Sequence, residues 1–567
     1  MLSFAVRSKA EPARGLHRLI FVLPALVSSL ALSSVVRAQA GAGEPARATA
    51  EYNRGYQDGY EAGLRAAKSG EHPTNAGPTS ESKAAASAGL RSDPSITITS
   101  ATLVPSGVAG TAASKPDILP SAKSLWAEMT ASDQNDQDTF FRHPVSSPWW
   151  LSAQANFIAQ MHPSFPARYS GRNSFKDAEE QAVSRVVTLF TGFQLDDTTE
   201  LVVDAESTGW SGLSQALGIA AYPNLDVVRN PQLTAEPYLA RLWFRKVIPL
   251  SGETVEVERN PVSLLSSLPV RRIDIHVGKM TLPDFLDINS IAGDSHMQFM
   301  NWAIDNNPTW DYAADTRGYT YGIVIDYEDR YWGARFAEAL LPTTANGINL
   351  EWNPQRAHAE NFEIEVRPGL IAKRSTIIRV LAFMNHANMG DYHEAIDQFE
   401  RELAAGEKPA APDIDDHIKR VTMKYGFGLN MEQEITETLR AYSRLGWNEG
   451  QHETWCYTEA DAHFSFGWDL RGDLWERPRD KWGVAFVMDG LSRRHRQYLS
   501  LGGLGFVLGD GNLSYGPEQV METYYTFPVP IEPGVFAAFD FQYINNPGYN
   551  RARGPVVVPG VRLHVEL

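Results

Sequence analysis

Leu151-Ser152-Ala153-Gln154-Ala155-Asn156-Phe157-Ile158-Ala159-Gln160-Met161-His162 sorts, residue by residue, into two faces. Leu151, Ala153, Ala155, Phe157, Ala159 and Met161 fall on one side, and Ser152, Gln154, Asn156 and Gln160 on the other. A period of two is the signature of a strand with one apolar and one polar face. The chain ends the same way, with Val561, Leu563, Val565 and Leu567 alternating against Arg562, His564 and Glu566. Between these two segments the same reading places strands near 183–194, 199–206, 238–249, 271–280, 319–326, 331–340, 361–367, 375–387, 424–431, 437–448, 459–470, 481–489, 519–528 and 534–545. The total of sixteen predicts an all-β, sixteen-stranded antiparallel transmembrane barrel over 149–567.

The joins support that number. Those after even strands are mostly short, as in 195–198, 328–330 and 530–533, whereas 207–237, 281–318 and 388–423 are long. Outer-membrane barrels segregate short periplasmic turns from long external loops, so 195–198 and 328–330 are expected in the periplasm and 281–318 and 388–423 outside. The join 250–270 breaks the pattern, being long where a short one is expected.

Upstream of the barrel the text changes. Arg7, Lys9, Arg14 and Arg18 precede an uncharged stretch from Leu19 to Val36 and then Ala38-Gln39-Ala40. This order fits a signal peptide over 1–40, the alternative being an uncleaved anchor. Its removal, with five basic residues and one acidic, takes the net charge from −17 to −21. Residues 41–148 read as a low-complexity, partly helical periplasmic extension and linker. Tyr-x-x-Gly recurs at Tyr52/Gly55, Tyr56/Gly59 and Tyr60/Gly63, followed by a run rich in Ser, Ala, Thr, Pro and Gly.

Composition removes other classes. With 43% hydrophobic residues and 14 Trp among 567 residues, the chain cannot be wholly disordered. The single Cys456 excludes a disulfide framework or a cysteine metal centre. The negative balance excludes non-specific nucleic-acid binding. There is no His-Glu-x-x-His, no Gly-x-Ser-x-Gly and no Walker motif, so no enzyme class is supported; an exported carbohydrate-active β-protein remains as the enzyme alternative. Gly503-x-Gly505-x-x-x-Gly509 departs from a dinucleotide fingerprint and reads as turn and close-packing chemistry. No cofactor and no metal ligands are expected.

The polar faces carry a mixed-charge set suited to an aqueous lumen. Arg241 and Arg245 flank Trp243, and Arg272, Asp274 and His276 follow on the next strand. Glu200, Asp204, Arg379, Asp461, His463, Glu522, Asp540 and Gln542 occupy equivalent positions. Each is a candidate for solute contact or for a salt bridge within the wall. The opposite faces end in aromatics such as Tyr525, Phe527, Phe539, Phe541 and Tyr543, as membrane-interface girdles do. Loop 281–318 mixes Phe285, Phe299, Trp302, Trp310 and Tyr312 with Asp284, Asp287, Asp294, Asp305 and Asp311. Such a loop either folds inward and narrows the pore or packs its aromatics against its own neighbours. Ala395, Ile396, Phe399 and Leu403 have the spacing of a short amphipathic helix over 394–404.

The C-terminal text resembles the carbohydrate-selective outer-membrane porins of the OprB type. The resemblance rests on Gly490-Leu491-Ser492, His495-Arg496-Gln497-Tyr498, Gly502-Gly503-Leu504-Gly505, Leu508-Gly509-Asp510-Gly511, Tyr515-Gly516-Pro517-Glu518 and Glu522-Thr523-Tyr524-Tyr525. It continues through Asp540-Phe541-Gln542-Tyr543, Asn546-Pro547, Tyr549-Asn550-Arg551 and Arg553-Gly554-Pro555, and includes Trp310 to Tyr319 and Asn388-Met389-Gly390. It implies passive, selective diffusion of sugars through a water-filled barrel in the cell outer membrane, set in lipid by the barrel assembly machinery as a monomer or homotrimer. Leu567 stands where such barrels commonly end in Phe, which bears on assembly. Porins similar to this family are also associated with divalent metal ions, notably manganese, and a charge of −21 would favour a cation funnel.

Overall fold

The computed structural model describes residues 108–109, 146–227, 234–371, 374–414, 421–456, 459–530 and 533–567. The predicted signal peptide, the Tyr-x-x-Gly repeat and most of the 41–148 segment lie outside them.

Sixteen strands close into one barrel. In chain order they are β1 (Trp149–His162), β2 (Glu180–Asp196), β3 (Thr199–Trp210), β4 (Tyr238–Pro249), β5 (Arg272–Met280), β6 (Thr320–Glu328), β7 (Trp332–Leu340) and β8 (His358–Val366). The second half comprises β9 (Thr376–Ala387), β10 (Thr422–Glu434), β11 (Leu439–Asn448), β12 (Ala462–Gly472), β13 (Arg477–Gly490), β14 (Glu518–Pro528), β15 (Val535–Asn545) and β16 (Val556–Glu566). Each pairs antiparallel with its sequence neighbours, and β16 closes on β1 with Val561 opposite Ala159 and Arg562 opposite Ile158. Closure leaves no unpaired edge, which is what a strand-built membrane span requires.

The predicted alternation holds in space, with the apolar set outside. Leu189, Phe193, Leu242, Phe244, Val277, Ile325, Phe427, Phe539, Phe541, Val561 and Leu563 are exposed, while Gln154, Asn156, Thr188, Glu200, Asp204, Arg562 and His564 are buried within. This inversion of a soluble protein suits a lipid exterior. Short joins and long loops separate to opposite ends. Asp197 and Thr198 alone link β2 to β3, where the Asp196 carboxylate accepts the Thr198 N–H at 2.8 Å. The exceptional join 250–271 is explained by added structure: Thr254–Val257 pairs with Ser267–Pro269 and with Val108–Ala109 as a small separate sheet. Glu200 accepts the Leu264 and Leu265 N–H groups at 2.6 and 3.1 Å, which ties this join to the barrel.

The predicted loop helix spans Tyr392–Ala404, capped by Asp391, whose carboxylate accepts the His393 and Glu394 N–H groups. Ala395, Ile396 and Phe399 are buried as expected, but Leu403 is exposed because it lies in the last turn, past the packed part of the face. The glycine run packs closely. A side chain at Gly503 would enter the Tyr498 ring, and one at Gly505 would overlap the Glu459 carboxylate.

Candidate functional site

The inward face of β3–β13 is an arc of charges whose sign alternates from strand to strand. Glu200 on β3 meets Arg245 on β4 at 2.9 Å, and Arg245 meets Asp274 on β5 at 2.9 Å. Arg272 also holds Asp274, at 2.9 Å. On β7, Arg335 serves four carboxylates: Asp326 at 3.3 Å, Glu328 at 2.6 Å, Glu363 at 2.9 Å and Glu365 at 3.0 Å. Arg379 on β9 joins Glu365 at 2.8 Å to Glu432 on β10. Arg440 on β11 holds Asp469 on β12, which Lys481 on β13 approaches at 3.7 Å. A guanidinium with five fixed donors can bridge two strands and so lock the ladder laterally.

Loop 281–319 folds inward and bridges this arc to the opposite wall. Asp284 grips Arg241 through both oxygens, at 2.7 and 2.8 Å, and Asp204 lies 3.5 Å from the same guanidinium. Asp287 pairs with Arg444 on β11 at 3.0 Å, and its N–H donates to Glu363 on β8. Across the lumen, Glu522 on β14 accepts the Met300 and Asn301 N–H groups at 2.7 and 3.1 Å. Arg562 on β16 donates to the Ser295 and Gln298 carbonyls. Space for the loop is made by small residues. Gly428 and Gly446 face each other on β10 and β11, and a side chain at Gly446 would lie 2.1 Å from Thr309 Oγ1 and 2.3 Å from Asn307 Oδ1.

The two expected behaviours of the loop aromatics combine. Trp302 packs on Tyr222 and Tyr312, and Trp310 on Tyr312, while Phe299 meets the Tyr524 ring of the wall edge-on at 4.8 Å. Trp310 Nε1 donates to Asn361 on β8 at 2.8 Å. Asp294 caps the turn at His296 and Met297, and Asp311 accepts the Trp455 and Cys456 N–H groups. Burial pushes Asp305 well above the usual carboxylate range, with Arg444 opposing. His296 meets Asp226 of loop 211–237 at 3.2 Å. Burial pulls this imidazole down, but Asp226 overcomes it and the net shift is upward.

All fifteen predicted site residues are buried, and they separate by what they touch. Arg241, Trp243, Arg245, Arg272, Asp274 and His276 form one cluster with Phe285 of the loop, whose ring lies 4.7 Å from His276 and 6.2 Å from Trp243. Arg379 belongs to the ion-pair ladder. Asp461 and His463 sit apart, held by His495 at 3.1 Å and by Asp489 at 2.6 Å. Glu522 anchors the loop, and Asp540 is 3.3 Å from Gln542 Nε2. Arg335, Arg440, Arg444 and Arg562 were not singled out by the sequence reading. The signal for Arg335 was present: it is the lone charge on an inward face otherwise made of Gly333, Ala337 and Ala339.

In the β4–β5 cluster four polar atoms have no protein hydrogen-bond partner: Trp243 Nε1, Arg245 Nε, Asp274 Oδ1 and His276 Nδ1. Buried polar groups are ordinarily paired, so these retain capacity for water or for a hydroxyl-bearing solute. Arg245, Arg272 and His276 also keep 6–7% exposure, whereas Arg241 has none.

The family model for carbohydrate-selective porins, OprB family, matches residues 172–567. No curated protein matches the chain by sequence. The high-pH structure of Pseudomonas putida OprB is similar with a TM-score of 0.55 at 12% identity, covering 78% of this chain and 97% of that one. The outer-membrane channel DcaP of Acinetobacter baumannii gives a TM-score of 0.40 at 8% identity, over 74% of this chain and 97% of that one.

Proposed function

The chain belongs to the carbohydrate-selective porin family of the OprB type, and on that premise we propose that its sugar-selecting passage runs against the β4–β5 wall where loop 281–319 narrows the barrel. The family and fold are those of an outer-membrane channel for passive carbohydrate diffusion. Within it, Arg245, Arg272, Asp274 and His276 are the solute-facing groups, with Trp243 offering an indole N–H. The residual exposure of Arg245, Arg272 and His276 on the inward face carries this reading, with the unpaired Trp243 Nε1, Arg245 Nε, Asp274 Oδ1 and His276 Nδ1 just beneath. A sugar presents hydroxyls that donate and accept at once, so a cluster with both kinds of free capacity replaces its hydration shell, while lipid-like solutes find no compensation. Arg241, Glu522, Trp302, Trp310, Asp294 and Asp311 act differently: they hold the loop in place and so set the width. Arg379, Asp461 and His463 are wall scaffolding in this reading.

Liposome swelling with a panel of sugars tests it. Arg245→Ala should change the relative rates among sugars, whereas His463→Gln should leave them in the wild-type order. Equal profiles for both variants would move the selective region away from β4–β5. Outer-membrane lipid meets the apolar band, and native mass in detergent distinguishes monomer from homotrimer.

A further inference from the structure

Three side chains that permeation leaves unused converge on the outward face at the long-loop end of the barrel. His358, at the start of β8, is the register partner of His386 near the end of β9, and their rings stack at 4.7 Å with an interplanar angle of 10°. Glu360 lies two residues further along β8 on the same side. Its carboxylate oxygens lie 3.7 Å from His358 Nε2 and 3.2 Å from His386 Nε2. The ligand atoms of all three residues lie within 4.8 Å of one another. A tetrahedral ion with bonds of about 2.0–2.2 Å sets its donors roughly 3.3–3.6 Å apart, so two of the three spacings are already close to those of a bound ion.

The local charge asks for a cation. Glu338 on β7 is directly opposite Glu360, on the same outward face. Facing like charges on adjacent strands repel. Among the described residues, only the two imidazoles lie within ion-pair distance of Glu360. Glu360 itself lines an apolar groove formed with Phe336, Phe362, Ala382, Met384, Tyr425 and Phe427. An uncompensated carboxylate against such a lining is costly.

We propose that His358, Glu360 and His386 bind a divalent transition cation of the Zn²⁺ type, which staples β8 to β9 at the rim from which loops 341–357 and 388–421 leave. Imidazole ligands favour such ions over Ca²⁺ and Mg²⁺, which take oxygen. Three protein ligands leave a coordination position for water or for Glu338. Because the cluster faces away from the lumen, the ion is a resident of the wall and not a permeating solute.

The test uses the metal-stripped, full-length protein folded in detergent, titrated calorimetrically with Zn²⁺ and followed by Co²⁺ visible absorption. One equivalent should bind, with a tetrahedral Co²⁺ spectrum. His386→Ala and Glu360→Gln should each weaken binding at least about tenfold, while heat-modifiable gel mobility confirms that both variants are folded. Sugar swelling rates should be those of the wild type. Absence of a stoichiometric site, equal affinity in the folded variants, or preferential binding of Ca²⁺ would overturn the proposal.

Discussion

Two arcs of the same wall hold the inward loops by different means. From β3 to β13 the lumen face is a ladder of guanidiniums and carboxylates, and loop 281–319 joins it with its own charges, Asp284 on Arg241 and Asp287 on Arg444. From β15 through β1 the face is rich in amides. Asn156 donates to Asp226 at 2.9 Å, while Gln160 and Gln542 both donate to the Pro223 carbonyl at 2.8 Å. Ion pairs shielded from water are costly to break on one side, since the partner remains charged and buried. The two neutral hydrogen bonds to Pro223 are worth about 1 kcal/mol each, and that of Asn156 to the Asp226 carboxylate somewhat more. The charged arc therefore holds loop 281–319 with more at stake per contact than the amide arc holds loop 211–237.

The largest effect should follow from Arg335→Met, which removes the cation shared by Asp326, Glu328, Glu363 and Glu365 and leaves Arg367 and Arg379 to hold only Glu328 and Glu365. Breaking such a buried set costs about 3–5 kcal/mol, read as a lower urea midpoint for the folded barrel; an unchanged midpoint would mean that the charged arc is not the stabilising one. Next comes the Arg241→Ala/Arg245→Ala double variant. It frees Asp284 and removes two fixed cations, so single-channel conductance should rise by at least about twofold and selectivity should move toward cations, because lumen charges tune selectivity. Planar-bilayer recording decides this, and wild-type conductance in a folded double variant would remove both arginines from the constriction.

Gly446→Val should act on the loop alone. The added side chain occupies the seat of Asn307 and Thr309, so channel noise should increase while the unfolding midpoint falls by less than for Arg335→Met. The contact between His296 and Asp226 predicts a pH dependence. The His296 value is raised on folding and that of Asp226 is lowered. The imidazole's contribution is complete below about pH 6.5 and is lost as pH rises through its raised value. The carboxylate's contribution is present above about pH 4 and is lost as pH falls through its lowered value. The link between loops 211–237 and 281–319 is thus strongest in mildly acidic solution, and conductance fluctuations should grow on the alkaline side in the wild type but not in His296→Gln. The smallest effect belongs to the amide arc: Gln160→Ala, which removes a neutral bond to the Pro223 carbonyl, should cost about 1 kcal/mol with sugar selectivity intact. A selectivity change there would erase the distinction between the arcs.

Period-two alternation, with short and long joins in turn, was enough to find all sixteen strands, because each barrel residue must choose between lipid and lumen, and that choice is written locally. The same alternation placed Arg241, Arg245, Asp274 and Glu522 inward. It does not say which of them touch solute, since Arg241 and Glu522 are consumed by loop atoms 43 and 222 residues away. Arg444 and Arg562, equally central to the loop, bind mainly backbone carbonyls, and no pattern of side chains announces those.

The sequence by itself therefore determined the barrel, its strand number, the inside and outside of its wall and its family, since all of these follow from local alternation and contiguous motifs. Only the tertiary structure decided that loop 281–319 turns inward and that Gly428 and Gly446 seat it. It alone brought His358, Glu360 and His386 together on the outer rim. Those arrangements depend on strand register and loop path, which are fixed by contacts between residues far apart in the chain.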